Sequence, residues 1–238
     1  MIDFHAHILP GIDDGAKDLR TSVDMLRMLK AQGVSTVICS PHFYPGQESV
    51  DSFLTKREEQ LRLLLEEKRN ISEDLPDIIA GAEVYFFRTI YSLDDIERLC
   101  IEGTNLLLLE MPFEKWTESI IESVHKLISN RGIIPIIAHV DRYIAFGNGE
   151  KEIKKLRDFG ALIQINSDFT DSFMLKRKVF SYLKKSLVDV LGSDCHSTGV
   201  RKSYLGEAVE LIEKQFGRGF IRKIKNESSE ILKDAIRR

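Results

Sequence analysis

Short apolar segments recur along this sequence, and most of them end in histidine, aspartate or glutamate. Clear examples are IDFHAH, VICSPHF, LLLLEMPF, IIAHVDRY and VLGSDCHS, and Glu83 ends a similar segment, AGAEVYF. Side chains that follow successive parallel strands converge, because the carboxyl ends of such strands meet at one mouth of a barrel. The pattern therefore predicts a metal centre at a barrel mouth. It includes five of the six histidines: His5, His7, His42, His139 and His196.

The apolar segments are nearly continuous, which is typical of parallel strands covered on both faces. We predict seven strands, at residues 2–5, 34–40, 77–84, 104–111, 133–139, 161–166 and 187–192. Helical periodicity between them predicts helices at residues 17–32, 49–69, 120–128, 151–159, 174–185, 204–216 and 221–236. About seven βα units in sequence favour an α/β fold of the closed-barrel type, in one domain that spans residues 1–238.

Composition argues against several classes of protein. The formal net charge of −3 gives no general attraction to nucleic acid or to an anionic membrane. No segment approaches about 18 uncharged apolar residues and no signal-peptide pattern follows Met1, so we expect a cytoplasmic protein that is not inserted in a membrane. Cys39, Cys100 and Cys195 lack CxxC spacing and are expected to be free thiols. Cys195 should pack in the core, pointing away from its neighbours.

Spacing brings further pairs of side chains together. His5 and His7 are two residues apart, so both leave the same face of a strand, and Asp194 and His196 repeat the arrangement. If the first and last strands are neighbours in a closed barrel, the two pairs converge. The strands and loops between them contribute the remaining candidates: Asp13, Asp14, His42, Glu83, Glu110 and His139.

These side chains are too many for a single ion, which takes four to six ligands, so two or three ions are expected. Nitrogen and oxygen ligands without thiolate suit Mn²⁺, Zn²⁺ or Fe²⁺ better than Ca²⁺, and Mg²⁺ is a further alternative. Taken singly, each histidine or carboxylate is more simply explained by packing or solvation. The joint pattern over several strands is what predicts metal. His125 lies on a predicted helix and is expected to be a surface or packing histidine.

The motifs HAH, SPHF, GAE, LLLEMPF, AHVDRY and GSDCH resemble those of the polymerase and histidinol phosphatase (PHP) superfamily. The opening FHAHILPGIDDGA is more specific and resembles the bacterial capsular-polysaccharide type tyrosine-protein phosphatases, which depend on manganese. The resemblance extends from His5 to Arg201. It implies a distorted (β/α)7 TIM-like barrel with a metal site of three ions at the C-terminal mouth of the strands.

The resemblance also implies a role for each candidate residue. The ligands would be His5, His7, Glu83 and Asp194 for one ion, Glu83, Glu110 and His139 for a second, and Asp14, His42 and His196 for a third. Arg142 and Arg201 would bind the phosphate, since a guanidinium group binds phosphate oxygens in pairs. For proton transfer to the leaving phenolate, Asp14 and Asp194 are both candidates.

The implied activity is that of a phosphoric monoester hydrolase, a protein-tyrosine phosphatase that uses metal-activated hydroxide. Its substrate would be a bacterial tyrosine autokinase that controls capsule or exopolysaccharide production. Cys195 and Arg201 have the spacing of a CX5R segment, CHSTGVR, but Cys195 is expected to pack in the core, which disfavours a cysteine nucleophile. The alternatives are a phosphatase for small phosphomonoesters such as histidinol phosphate, or a non-catalytic module that binds metal. A role as a nuclease or proofreading domain is disfavoured, because no basic surface is indicated.

Two departures from the family's pattern border the expected substrate mouth. Val140 and Asp141 stand where the family usually has proline and glutamate, and Lys202 and Ser203 follow Arg201 where prolines are usual. They bear on the identity of the substrate rather than on hydrolysis. The native metal and the oligomeric state are open at this stage.

Overall fold

The computed structural model describes residues 1–236. Its strands are β1 (Ile2–Ala6), β2 (Thr36–Cys39), β3 (His42–Phe43), β4 (Asp77–Ala80), β5 (Glu83–Tyr85), β6 (Leu106–Glu110), β7 (Ile134–Ile137), β8 (Leu162–Asn166) and β9 (Val190–Gly192). Its α-helices are α1 (Leu19–Ala31), α2 (Val50–Asn70), α3 (Glu118–Arg131), α4 (Val140–Tyr143), α5 (Glu150–Asp158), α6 (Phe173–Lys184), α7 (Leu205–Phe216) and α8 (Arg218–Ile236). Within these residues, no helix has both the length and the apolar character needed to cross a membrane.

The nine strand segments form seven barrel strands, because β2 and β3 are halves of one strand and β4 and β5 are halves of the next. Cys39 pairs with Ala80 and His42 pairs with Glu83, so pairing resumes after the gap without a change of register. Pro41 lies in the first gap and has no N–H to donate, but its carbonyl accepts a hydrogen bond from Glu83 N at 3.0 Å. The seven predicted strands are thus present, two of them interrupted.

All strand pairs are parallel, in the order β1-β2-β4 and β3-β5-β6-β7-β8-β9. Two backbone hydrogen bonds join β1 to the chain just after β9. Asp194 N donates to His5 O at 2.7 Å, and His7 N donates to Cys195 O at 2.9 Å. The first and last strands are therefore neighbours, as predicted, and the curled sheet has the form of a distorted barrel.

Successive side chains of β6 point alternately into the barrel and toward the surrounding helices. Leu106 and Leu108 pack with residues of β1, β2, β7 and β9 and with the end of α8, in one apolar cluster. Leu107 and Leu109 pack in a second cluster with residues of the surrounding helices. The inward series continues to Glu110, which lies at the carboxyl end of the strand. The barrel is therefore packed with aliphatic side chains below its mouth.

The ends of α3 are set by capping residues. α3 begins after Thr117, whose side chain accepts a hydrogen bond from Ile120 N, and ends at Gly132, which has a positive φ of 65°. A glycine at this position predicts a helix end, and the structure confirms it. The last strand is shorter than predicted, because Leu187 N donates to Tyr182 O and so completes the end of α6.

Candidate metal centre at the barrel mouth

A first group of side chains meets where β1 and β9 end, beside Glu83 at the start of β5. His5 Nε2 lies 3.0 Å from His7 Nε2. Each of these nitrogens lies 3.3–3.4 Å from Glu83 Oε2 and 3.4 Å from Asp194 Oδ1. Atoms that bind one ion at about 2.1 Å lie about 3.0 Å apart in octahedral and about 3.4 Å apart in tetrahedral geometry. The four side chains are therefore spaced as the ligands of one ion would be.

A second group uses the other oxygen of Glu83. His139 Nε2 lies 3.0 Å from Glu83 Oε1 and 3.4 Å from Glu110 Oε1. Since Glu83 Oε2 faces His5 and His7, the carboxylate lies between the two groups. This is the placement that a carboxylate bridging two ions requires.

A third group lies nearer the solvent. Asp14 Oδ1 is 3.4 Å from His42 Nε2 and 3.3 Å from His196 Nε2. His42 also connects this group to the others, because its Nδ1 is 2.9 Å from Glu83 Oε2. The structure thus brings together in one cluster all nine side chains predicted as ligands: His5, His7, Asp14, His42, Glu83, Glu110, His139, Asp194 and His196.

Unusual backbone conformations direct some of these side chains. His139 and Asp194 have positive φ values of 32° and 51°, in the left-handed region that costs non-glycine residues about 1–3 kcal/mol each. The register of β1 against β2 also shifts between Asp3 and Ala6, around His5. Such irregularities re-aim side chains at the ends of barrel strands.

The loop after β1 orients His7. Asp13 Oδ2 accepts a hydrogen bond from His7 Nδ1 at 2.7 Å, and this contact turns His7 Nε2 toward the cluster. Asp13 Oδ2 also accepts a hydrogen bond from His42 N, and Oδ1 accepts one from Gly15 N. A Cβ at Gly15 would lie 2.3 Å from His7 O, so only glycine fits there. The HILPGIDDGA segment is thereby explained by the support that it gives to His7.

Two amides of β8 support the cluster, and sequence reasoning missed both. Gln164 Oε1 accepts a hydrogen bond from His139 N at 2.7 Å and lies 3.4 Å from His5 Nδ1. Gln164 Nε2 donates to Asn166 Oδ1, and Asn166 Nδ2 donates to Asp194 Oδ2 at 3.0 Å. The available signal was two amides spaced two residues apart in an otherwise apolar strand, which places both on one face.

The electrostatics of the cluster favour cations. Burial acts against ionisation of Glu83, but the charge of His5 and hydrogen bonds from neighbouring histidines hold the pKa of that carboxyl well below its usual range. Burial would lower the pKa of His139, but hydrogen bonds with Glu110 and Glu83 raise it to about 9. Burial, followed by the charge of a neighbouring histidine, lowers the pKa of His196 to about 3. The Glu83 carboxylate therefore remains ionised and attracts positive charge.

Unpaired buried atoms test whether metal ions fit this cluster. Among the described residues, Glu83 Oε2 and His196 Nε2 are buried and make no hydrogen bond. A buried polar atom without a partner costs about 1–3 kcal/mol, which coordination to a cation would offset. The ligand set contains nitrogen and oxygen but no thiolate, as Mn²⁺, Zn²⁺ and Fe²⁺ prefer. The residues present therefore fit a cluster of divalent metal ions.

Both predicted phosphate-binding arginines lie at the same mouth. Arg142 Nη2 is 2.6 Å from Asp194 Oδ2, and Arg201 Nη1 is 2.8 Å from Asp14 Oδ2. Arg201 Nη2 lies 3.7 Å from Asp194 Oδ1. Both guanidinium groups are partly exposed, so donors remain available to an anion entering from solvent.

The residues outside the cluster also follow expectation. His125 is exposed and stacks on Phe159 with ring centroids 4.2 Å apart. Cys195 is fully buried in an apolar cluster, and burial raises the pKa of its thiol well above the usual range. Of the four residues that depart from the family's pattern, three are buried rather than exposed at the mouth: Val140, Asp141 and Ser203.

Comparison with known proteins identifies the family. A family model described as capsular polysaccharide synthesis, CpsB/CapC, matches residues 1–233. This chain belongs to the CpsB/CapC family. Within that family, the tyrosine-protein phosphatase CpsB of Streptococcus pneumoniae is 33% identical over 236 residues, covering 91% of each chain. The tyrosine-protein phosphatase YwqE of Bacillus subtilis is 31% identical over 223 residues, covering 91% of this chain and 85% of the relative.

Solved structures agree with this membership. A crystal structure from work on YwqE and CpsB, described as metal-dependent tyrosine phosphatases, has a TM-score of 0.83 at 26% identity, over 98% of this chain and 94% of that one. A histidinol phosphate phosphatase of Lactococcus lactis has a TM-score of 0.60 at 15% identity, over 90% and 92%, which is a likeness of fold. The predicted family resemblance and the distorted barrel are thus confirmed for this CpsB/CapC protein.

Proposed function

We propose that the chain is a metal-dependent protein-tyrosine phosphatase that hydrolyses phosphotyrosine in a partner protein. The observation that carries this proposal is the convergence of nine side chains spaced as metal ligands with two arginines at one mouth. The named tyrosine phosphatases among its CpsB/CapC relatives support the same activity.

We assign the ligands to three ions, with Mn²⁺ as the preferred metal and Zn²⁺, Fe²⁺ and Mg²⁺ as alternatives. The sets are His5, His7, Glu83 and Asp194; Glu83, Glu110 and His139; and Asp14, His42 and His196. When bound, the ions would polarise the phosphoryl group and activate water for attack on phosphorus. The distances within each group, and the central position of Glu83, support this division.

Arg142 and Arg201 would bind the phosphate from the two sides of Asp194. Each guanidinium group offers several N–H donors in a fixed plane, and planar donors match phosphate oxygens in pairs. As negative charge develops on those oxygens, the arginines would stabilise it. Asp14, which is exposed and contacts Arg201, would take up a proton from the attacking water and pass it to the leaving phenolate.

Aromatic surfaces at the mouth favour a phenolic substrate over histidinol phosphate. Phe113 is partly exposed and stacks with His139, with ring centroids 5.9 Å apart and ring planes within 10°. Tyr44 lies 5.3 Å from His42, on another side of the cluster. A phosphorylated tyrosine ring could pack against either surface while its phosphate reaches the cluster.

The partner we propose is a bacterial tyrosine autokinase that controls capsule or exopolysaccharide production, in line with the family's description. We further propose that the enzyme works in the cytoplasm, where its three buried, unpaired cysteines would stay reduced. We treat residues 1–238 as a single PHP-type domain.

The deciding experiment measures phosphate release by metal-stripped protein after Mn²⁺, Zn²⁺ or Mg²⁺ is added back. A phosphotyrosine peptide and histidinol phosphate are compared as substrates. His42→Ala removes a cluster histidine, and His125→Ala removes the exposed one as a matched control. We expect turnover of the peptide that Mn²⁺ restores, that His42→Ala abolishes and that His125→Ala retains. Turnover of histidinol phosphate alone would overturn the proposal, and so would metal binding without hydrolysis.

A further inference from the structure

Exposed apolar side chains are concentrated on one part of the barrel mouth. In the part of the chain that the structure describes, the large apolar side chains that are exposed all follow the carboxyl ends of β6, β7, β8 and β9. They are Phe113, Phe146, Phe173, Met174 and Val200. Soluble proteins usually scatter such residues, so their grouping around one opening indicates a surface that meets another molecule.

A groove of about 590 Å³ lies within this region, between the segment after β7 and the start of α6. Its apolar wall is formed by Ile144, Ala145, Met174 and Leu175, and its edges carry the basic groups of Arg142 and Lys178. Asp141 also contributes to the lining but is buried; its Oδ1 accepts a hydrogen bond from Asn166 N, and its Oδ2 has no hydrogen-bond partner. The accessible surface of the groove is therefore apolar, with basic side chains at its edge.

We propose that this groove binds a large apolar side chain of the substrate polypeptide, within three residues of the phosphotyrosine. The inference rests on the proposed phosphatase function and adds the class of sequence that the enzyme prefers. It gives the exposed apolar wall beside Arg142 a role in recognition, separate from the chemistry at the metal cluster.

Continuity with the cluster supports this occupant. Arg142 lines the groove and also contacts Asp194 at 2.6 Å, so one side chain separates the groove from the metal ligands. An extended polypeptide advances about 3.3–3.6 Å per residue, so neighbours of a phosphotyrosine bound at the cluster would reach the groove. A negatively charged phosphopeptide also matches the positive margin formed by Arg142 and Lys178.

The test compares peptides in which a single leucine is moved through the three positions on either side of phosphotyrosine, in a serine and glycine background. Para-nitrophenyl phosphate serves as a small substrate that does not reach the groove. We expect kcat/KM to be about tenfold higher for the best leucine position than for the peptide without leucine, since burial of one aliphatic side chain gives discrimination of that size.

Three variants locate the effect. Ala145→Trp fills the groove from an exposed position, and Met174→Gln makes its wall polar. Phe173→Gln is the matched control, because Phe173 is as exposed as Met174 (75% against 80%) but does not line the groove. We expect Ala145→Trp and Met174→Gln to remove the leucine preference, whereas Phe173→Gln keeps it. All three should hydrolyse para-nitrophenyl phosphate at the wild-type rate.

Equal use of all peptides by the wild-type protein would overturn the groove assignment and leave the phosphatase function intact. Loss of the preference in Phe173→Gln as well would also overturn it, since the effect would then not be specific to the groove. If no phosphotyrosine peptide is hydrolysed while a small phosphomonoester is, both the proposed function and this inference fail.

Discussion

Asp3 is a buried residue of β1 whose carboxylate binds the chain just after β9. Its replacement tests how the contact between these two strands supports the candidate metal ligands. Oδ1 accepts hydrogen bonds from His5 N at 3.2 Å and Ser193 N at 2.8 Å, and Oδ2 accepts one from Ser193 Oγ at 2.6 Å. The side chain has no exposed surface. It therefore joins the backbone at His5 to the backbone next to Asp194.

The charge of this group carries a free-energy cost that depends on pH. Burial raises the pKa of Asp3 to about 6, although hydrogen bonds from Ser193 and His5 act in the opposite direction. Below about pH 4 the carboxyl is protonated in both folded and unfolded chains, and the cost is absent. The cost grows between about pH 4 and 6. Above this range it is fully present, and the rise of the Asp3 pKa from 3.8 to about 6 corresponds to a free energy of unfolding that is lower by about 3 kcal/mol.

Two variants separate the charge from the hydrogen bonds. In Asp3→Asn, the amide oxygen can keep both backbone donors and the NH₂ group can donate to Ser193 Oγ, which is free to turn its proton to His5 O at 3.1 Å. We expect this variant to match the wild type near pH 4 and to exceed its free energy of unfolding by up to about 3 kcal/mol near pH 7.5. Asp3→Ala leaves the donors unpaired and should destabilise the fold at both pH values, by about 1–3 kcal/mol per donor.

The assay is urea unfolding of chelator-treated protein at both pH values, followed by fluorescence and circular dichroism. Parallel pH profiles for the wild type and Asp3→Asn would refute the argument, because Asp3 would then not change its ionisation in this range. Equal destabilisation by Asp3→Asn and Asp3→Ala would refute the hydrogen-bond exchange. We also expect Asp3→Asn to bind metal ions more weakly, since it removes a negative charge close to His5.

Two further substitutions test the packing and the orientation of the cluster. Gly192→Ala should lower metal content, measured by plasma mass spectrometry, because a Cβ there would lie 2.7 Å from His5 Cβ. Gly219→Ala, where a Cβ meets nothing within 4 Å, should retain it, and equal content in both variants would contradict this reasoning. Asp13→Ala removes the acceptor 2.7 Å from His7 Nδ1 and should weaken metal binding about 10–100-fold in calorimetric titrations. Unchanged affinity would mean that Asp13 does not set the orientation of His7.

Sequence reasoning located the cluster because its residues are attached to the ends of strands. Parallel order alone brings such positions to one mouth, so Glu83, Glu110 and His139 could be placed without knowledge of any side-chain contact. The same reasoning predicted seven strands and the proximity of the first to the last. The division of ligands among ions came from the family resemblance, since spacing along a chain carries no information about which atoms share an ion.

The supporting residues could not be predicted in the same way. Asp3 and Ser193 are 190 residues apart, and their hydrogen bond depends on how the barrel closes. Gln164 and Asn166 belong to a strand whose apolar character signals burial but not the partners of its two amides. The interruption at Pro41 was also missed, because pairing continues in register on both sides of it. These features depend on contacts between residues that are distant in the sequence, and the periodicity of apolar residues gives no information about such contacts.

The contact between β1 and β9 links folding to the proposed chemistry. His5 and His7 lie on one side of it, Asp194 and His196 lie on the other, and Glu83 faces the first pair from β5. Ions held by these side chains would join the two ends of the barrel, in addition to the hydrogen bonds of Asp3 with Ser193. Because a ligand that binds only the folded state stabilises it, the groups that activate water would also hold the barrel closed. The strained backbone at Asp194 is consistent with this arrangement, since coordination would offset a conformation that the chain alone does not favour.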